Sequence, residues 1–160
     1  MNFRHTLVKL VAAVSFLFVG AVATQAINPT STNQTVQAAS DNDADDVVKL
    51  ATAQVGKPYV YGATGPYAFD CSGLVQYVFR KAAGVNLART TYQQVYQGKS
   101  VSLKNLKKGD LLFWGAPSAP YHVGIYVGGG KYVHAATPGQ GVIKQSLSGY
   151  FYPSAAKRVL

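Results

Sequence analysis

The chain carries one cysteine, Cys71, and three histidines, of which His122 and His134 stand in its second half and His5 near its start. A thiol and an imidazole together can perform nucleophilic acyl transfer. The imidazole takes the thiol proton, and the thiolate attacks a carbonyl carbon. The same three residues are too few for a closed zinc site, and an open one would need an added carboxylate. The reading therefore expects no metal and no cofactor. Thiol chemistry demands a setting that favours the thiolate, an imidazole within reach, and a third group that holds the imidazole ring.

The elements that would position these groups are legible. Asp70 is a good helix N-cap. After it, Cys71, Leu74, Val75, Val78, Phe79 and Ala82 fall at i, i+3, i+4, i+7, i+8 and i+11, one apolar face of a helix that Gly84 closes. Cys71 thus sits in the first turn, facing inward. A helix N-terminus, with about +0.5 charge and free N–H groups, favours a thiolate, whereas the charge of Asp70 opposes it. Position alone leaves a reactive thiol and a small buried residue equally open.

Downstream, "GDLLFWG" reads as a strand and "HVGIYVGGGKYVHAA" as a β-hairpin. On the first arm His122 alternates with Gly124, Tyr126 and Gly128. The two nearer glycines leave room for another element to pack closely, such as the helix end that bears Cys71. If the loop is Gly128 to Gly130, Val127 pairs with Lys131. His134 then stands opposite Gly124, on the face of His122, about two residues along and roughly 7–8 Å away. A two-residue loop would send His134 to the other face. "GVIKQSL" and "AKRVL" read as weaker strands. "RTTYQQVYQG" reads as a short helix capped by Thr90 or Thr91, and Gly109-Asp110 as a turn. Trp114 is expected in the core. Helices followed by strands indicate an α+β fold with a mainly antiparallel sheet.

The start of the chain addresses compartment. Arg4, His5 and Lys9 precede an apolar run from Leu10 to Ala23, the pattern of a secretory leader. Cleavage is expected after Thr24-Gln25-Ala26 or after Val36-Gln37-Ala38, giving a leader over 1–38, a flexible lead-in over 39–45 and a single domain over 46–160. An uncleaved N-terminal anchor is the alternative. The 160 residues include 15 Lys and Arg against 6 Asp and no Glu, a net charge of +9. Loss of 1–38 removes Arg4 and Lys9 and leaves 13 basic against 6 acidic residues, or +7. Such a balance suits anionic partners. The basic residues are scattered, without a nucleic-acid motif, so no nucleic acid is expected. An exported protein with an odd thiol needs a reason for it.

The segments "GKPYVYGATGPYAFDCSGLVQYVF", "LARTT", "LKKGDLLFW", "HVGIYVGGGKYVHA" and the final "AKRVL" resemble, in order and spacing, the NlpC family of bacterial cell-wall cysteine endopeptidases. The resemblance runs from about Asp46 to Leu160. It implies a papain-like α+β fold and hydrolysis of peptidoglycan stem peptides, between a γ-D-glutamyl or D-isoglutaminyl residue and a diamino acid. It also implies Cys71 as nucleophile, His122 as general base and His134 as the orienting residue. Tyr59, Asp70, Ser72 and Arg89 match positions near the nucleophile that contact substrate or oxyanion. Asp70 could equally be a plain N-cap, Ser72 a first-turn hydrogen-bonding residue and Arg89 a local ion-pair partner. Gly62-Ala63 departs from the two glycines common in the family, a change expected to alter loop shape only.

The reading is thus an exported, wall-associated or secreted monomeric thiol peptidase that leaves the membrane once its leader is removed. A muramoyl-L-alanine amidase or cross-bridge endopeptidase is the enzymatic alternative. A non-catalytic wall-binding protein and a Cys71-linked dimer are the others.

Overall fold

In the strand segment "LLFW", residues 111–114, consecutive side chains point to opposite faces of a sheet, yet all are apolar, so both faces must be covered. The computed structural model, which describes residues 30–160 and side chains from 41 onward, shows that covering. Six antiparallel strands stand in the order β1-β6-β2-β3-β4-β5. They are β1 (Lys99–Ser100), β2 (Leu111–Ala116), β3 (Ala119–Gly128), β4 (Lys131–Ala135), β5 (Val142–Ser146) and β6 (Ala155–Arg158). Helices α1 (Thr30–Ala53), α2 (Cys71–Ala83) and α3 (Thr91–Gln94) precede them. The expected α+β architecture with a mainly antiparallel sheet is the one observed.

On one face, Leu111, Phe113, Val123, Ile125 and Val133 pack with Leu74, Val75, Val78 and Phe79 of α2 and Val47 and Ala51 of α1. Each buried aliphatic side chain there contributes about 1.5–3 kcal/mol. The alternate residues Leu112, Trp114 and Tyr132 form a second cluster with Ala156, against which Phe151 and Leu106 pack. Trp114 is 2% exposed, as expected of a core residue. Asp110, also wholly buried, pairs with Arg158 and accepts the Lys107 N–H, which fixes the turn before β2.

Helix α2 starts and stops where its residues direct. Asp70 is the N-cap, and its side chain accepts the Gly73 N–H. Gly84, at φ 67°, ends the helix in the left-handed region, where a side chain would be strained. Helix α1 is longer than expected. No Gly or Pro interrupts the chain from Thr30 to Val55, so residues 39–45, expected as a flexible lead-in, continue the helix. The second cleavage candidate, Val36-Gln37-Ala38, falls within it, while the charged and apolar run and the first candidate lie outside the described residues. Among the described residues no helix is long and apolar enough to cross a membrane.

The β3–β4 hairpin differs from both loop alternatives. Gly128 pairs with Lys131, so the loop is two residues, Gly129-Gly130. Yet Tyr126 pairs with Tyr132 and Ile125 with Val133, because the register shifts between Tyr126 and Gly128. Val127 is the extra residue of a β-bulge. It restores the register that a three-residue loop would have set, and His134 comes opposite Gly124 on the face of His122.

The room left by Gly124 is taken by the hairpin itself rather than by α2. A Cβ at position 124 would lie 3.1 Å from the Tyr132 ring, 3.2 Å from the His134 Cβ and 3.2 Å from the Val133 carbonyl oxygen. Tyr132 and His134 are 0% and 3% exposed, and neither can step aside. Gly124→Ala is therefore expected to destabilise the protein by about 1–3 kcal/mol through overpacking. Gly139→Ala, where nothing lies within 4 Å, serves as the control and should stay within about 0.5 kcal/mol. Thermal denaturation of the two variants distinguishes them; equal melting temperatures would contradict the packing argument.

Candidate functional site

The thiol half of the site is built around the Asp70 carboxylate. One oxygen, Oδ1, accepts the Gly73 N–H at 2.7 Å and the Ser72 hydroxyl at 3.3 Å. The other, Oδ2, accepts the Gly62 N–H at 2.9 Å. The Arg89 guanidinium donates to both oxygens and, at 2.7 Å, to the Ser72 hydroxyl. Burial alone would raise the Asp70 pKa, but the Arg89 hydrogen bond, the Gly73 N–H, the Arg89 charge and the Gly62 N–H together hold it below the ordinary carboxylate value. Asp70 is thus an N-cap, an ion-pair partner and an anchor for the loop at Gly62. At that loop Gly62 takes φ 80°, and the Ala63 carbonyl receives the Asp70 N–H.

Cys71 follows, half-buried, at the start of α2. The backbone N–H groups of Val123, next to His122 on β3, of Ser72 and of Cys71 itself favour the thiolate. These lower the thiol pKa, but burial first and the Asp70 charge second outweigh them, and the net direction is up. The helix end alone does not make a standing thiolate, and the Asp70 charge opposes it as expected.

The histidine half lies on the hairpin. His122 Nε2 and His134 Nδ1 are 2.7 Å apart, their rings at 74° to one another. His134 Nε2 in turn lies 3.1 Å from Gln145 Oε1 on β5. Trp114 packs on both imidazoles, with ring centroids 5.4 Å from His122 and 6.4 Å from His134, and Phe151 stacks on Trp114 at 5.0 Å. Burial pushes His122 down to about 3, with the charge of a protonated His134 as a second cause. Burial also pushes His134 down to about 4, against the Gln145 hydrogen bond. Both rings are neutral at pH 7. With Nε2 of His122 engaged by His134, Nδ1 is the nitrogen left to exchange a proton with a neighbour.

The thiol half faces an open groove of about 440 Å³ that Cys71, Asp70, Ser72 and Arg89 share with Tyr59 and a rim of exposed tyrosines, Tyr61, Tyr92 and Tyr121. The Tyr59 hydroxyl is made harder to ionise by burial and then by nearby Cys71 and Asp70. The structure thus gathers Tyr59, Asp70, Cys71, Ser72 and Arg89 on one groove and links His122 to His134 through a hydrogen bond. A larger cleft, about 570 Å³, lies between α1 and the β3–β4 hairpin, but no cysteine or histidine lines it. Two residues were not anticipated from the sequence. Trp114, expected only as core filler, also walls the histidine pair. Gln145 emerges only from the β4–β5 register, in which it pairs with Tyr132 and lies diagonal to His134.

Comparison with known proteins agrees with this geometry. Residues 56–160 match the NlpC/P60 family. The murein DD-endopeptidase MepS/murein LD-carboxypeptidase of Escherichia coli K12 is 44% identical over 108 residues, 66% of this chain and 57% of that protein. The gamma-D-glutamyl-L-lysine dipeptidyl-peptidase of Bacillus subtilis 168 is 37% identical over 112 residues, 68% of this chain and 38% of that protein. The chain therefore spans less than two thirds of either relative. The solved NlpC/p60 domain of the peptidoglycan hydrolase SagA superposes with a TM-score of 0.68 at 40% identity, covering 72% of this chain and 97% of that one. A match that runs from the end of α1 to the last residue, on a fold that superposes on a solved member, establishes kinship: the chain belongs to the NlpC/P60 family.

Proposed function

We propose that the protein is a cysteine endopeptidase that hydrolyses peptidoglycan stem peptides between a γ-D-glutamyl or D-isoglutaminyl residue and the diamino acid. The observation that carries this reading is a thiol at the start of a helix that packs against the hairpin bearing a histidine pair. A thiol stands at a helix N-terminus on an open groove. On β3, the strand against which that helix packs, begins a hydrogen-bonded histidine pair. Relatives named as murein and γ-D-glutamyl peptidases support the substrate class. A surplus of cations suits a wall rich in anionic polymers, and the protein acts outside the cell, as a monomer.

Because thiol and imidazole both rest neutral, proton transfer accompanies attack instead of preceding it. The Cys71 proton passes to His122 Nδ1 as the sulfur bonds to the scissile carbonyl carbon. N–H groups of the first turn of α2, with the Tyr59 hydroxyl, stabilise the oxyanion. The His122 imidazolium then gives its proton to the departing amine of the diamino acid. Water, deprotonated by His122, releases the acyl product from the thioester. Asp70 holds the helix end in place, while Arg89 and Ser72 present polar groups to the bound peptide.

Cys71→Ala is expected to abolish cleavage of purified stem peptide while leaving the melting temperature nearly unchanged. Mass spectrometry of wild-type products should reveal a new amine on the diamino acid. A free L-alanine amine would instead establish an amidase, and undiminished cleavage by Cys71→Ala would overturn the mechanism.

The histidine pair also sets a pH dependence of stability. An unfolded histidine titrates near 6.5, whereas His122 and His134 titrate near 3 and 4 when folded. Between these values the unfolded chain binds more protons. Stability contributed by the neutral pair is complete above about pH 6.5 and lost as pH falls toward 4, on the order of 3 kcal/mol for each ring. The groups facing the pair are Trp114, Tyr132, Phe151 and Gln145. Of these only the Tyr132 hydroxyl titrates, pushed up to about 12 by burial, so it leaves this window undisturbed. Melting temperature measured from pH 7.5 to 4.5 should fall, and His122→Gln should flatten the fall; equal slopes would refute the assignment.

A further inference from the structure

Two neutral imidazoles in contact have two possible arrangements of their protons, and only one of them makes a base. Each neutral ring carries a single N–H. If His134 holds its proton on Nε2, its Nδ1 is a lone pair. His122 must then donate from Nε2 across the 2.7 Å contact, and its Nδ1 is free to accept. If His134 holds its proton on Nδ1, the contact reverses. His122 then carries its proton on Nδ1 and has no lone pair to offer a thiol. Nothing in the two rings themselves chooses between these states.

The choice lies one step further along the sheet. Gln145 Oε1 is 3.1 Å from His134 Nε2, and an amide oxygen can only accept. Gln145 is placed there by strand register: it pairs with Tyr132, two residues from His134 on the same face of β4. It is half-buried at the end of the chain of contacts, while His134 and His122 are 3% and 8% exposed. Water therefore has little access to the two rings to compensate for a lost partner.

We propose that Gln145 is a positioning residue that sets the direction of the whole hydrogen-bonded chain, Gln145 Oε1 to His134 to His122, and so keeps His122 Nδ1 unprotonated and ready to take the Cys71 proton. This inference rests on the reading that Cys71 and His122 react. During attack the proton moves from Cys71 Sγ to His122 Nδ1. His122 becomes an imidazolium that keeps its Nε2–H on His134, and no proton travels on to His134 or Gln145. Gln145 thus fixes a tautomer and carries no proton itself. Low pKa values of both rings make the tautomer, rather than the charge state, the quantity that must be controlled.

Two substitutions separate this role from packing. Gln145→Leu keeps the bulk and removes the acceptor. Gln145→Glu keeps an acceptor and adds charge. For the stem-peptide reaction, Gln145→Leu is expected to lower kcat about tenfold with KM within about twofold, the scale of one lost buried hydrogen bond. Gln145→Glu should restore kcat to within about threefold of wild type, since a carboxylate also only accepts. A purely structural role predicts the reverse order, with leucine tolerated and glutamate damaging, and that order would overturn the proposal. Histidine 15N NMR of the wild-type protein reads the tautomers without any assay of activity. Protons on Nε2 of both His122 and His134 are expected, with a mixture in Gln145→Leu. A wild-type His122 protonated on Nδ1 would refute the proposal. A protein that cleaves no stem peptide yet gives the expected spectra would overturn the proposed function and leave the tautomer assignment standing.

Discussion

The site depends on a single contact between neighbouring strands, the 2.7 Å approach of His122 Nε2 to His134 Nδ1. Two ring nitrogens come that close only if the strands are in register, the intervening position has no side chain and both rings are held from behind. The bulge at Val127 supplies the register and Gly124 the missing side chain. Trp114, Tyr132 and Phe151 supply the backing. Each of these features belongs to the sheet and its second core cluster. The reactive geometry is therefore an outcome of the same packing that stabilises the fold.

The thiol half follows a contrasting rule. Around Cys71 the protein places charge, with Asp70 and Arg89 paired at the edge of the groove. Around the histidines it places aromatic rings. Low polarity behind the histidines keeps them neutral, because burial disfavours the charged form. The ion pair at the helix end holds the first turn and the loop at Gly62 together, and its negative member is screened from the thiol by its own guanidinium partner. Without Arg89, the Asp70 charge that already raises the Cys71 pKa would act on it uncompensated.

Much of this was legible in the residues. Helix α2 announces itself through an N-cap aspartate, a 3.6-residue apolar period and a terminal glycine, and all three signals act locally. The hairpin was legible as an element, since three glycines interrupt two alternating arms. Its register was not. Whether Val127 pairs or bulges depends on how β4 meets β3 across the second core cluster, and a valine carries no mark of that. The two-residue strand β1 is too short to carry a period. The helical course of residues 39–45 was hidden because aspartates serve equally at a helix start and on an exposed helix face. Gln145 was invisible for a further reason. In "GVIKQSL" it is one polar residue in a weak strand, and it gains meaning only when β4 has put His134 within 3.1 Å.

The same contact also limits what the pair can do. Two buried imidazoles joined at 2.7 Å cannot both hold a full charge, because each positive ring lowers the proton affinity of the other. The pair therefore carries at most one extra proton. A carboxylate in place of His134 would have raised the His122 pKa and favoured a resting ion pair. A histidine in that position instead adds a second buried imidazole, which lowers the His122 pKa. The thiolate is the form of a cysteine that reacts with oxidants. Burial and the Asp70 charge, which raise the Cys71 pKa, therefore also make the side chain less prone to oxidation.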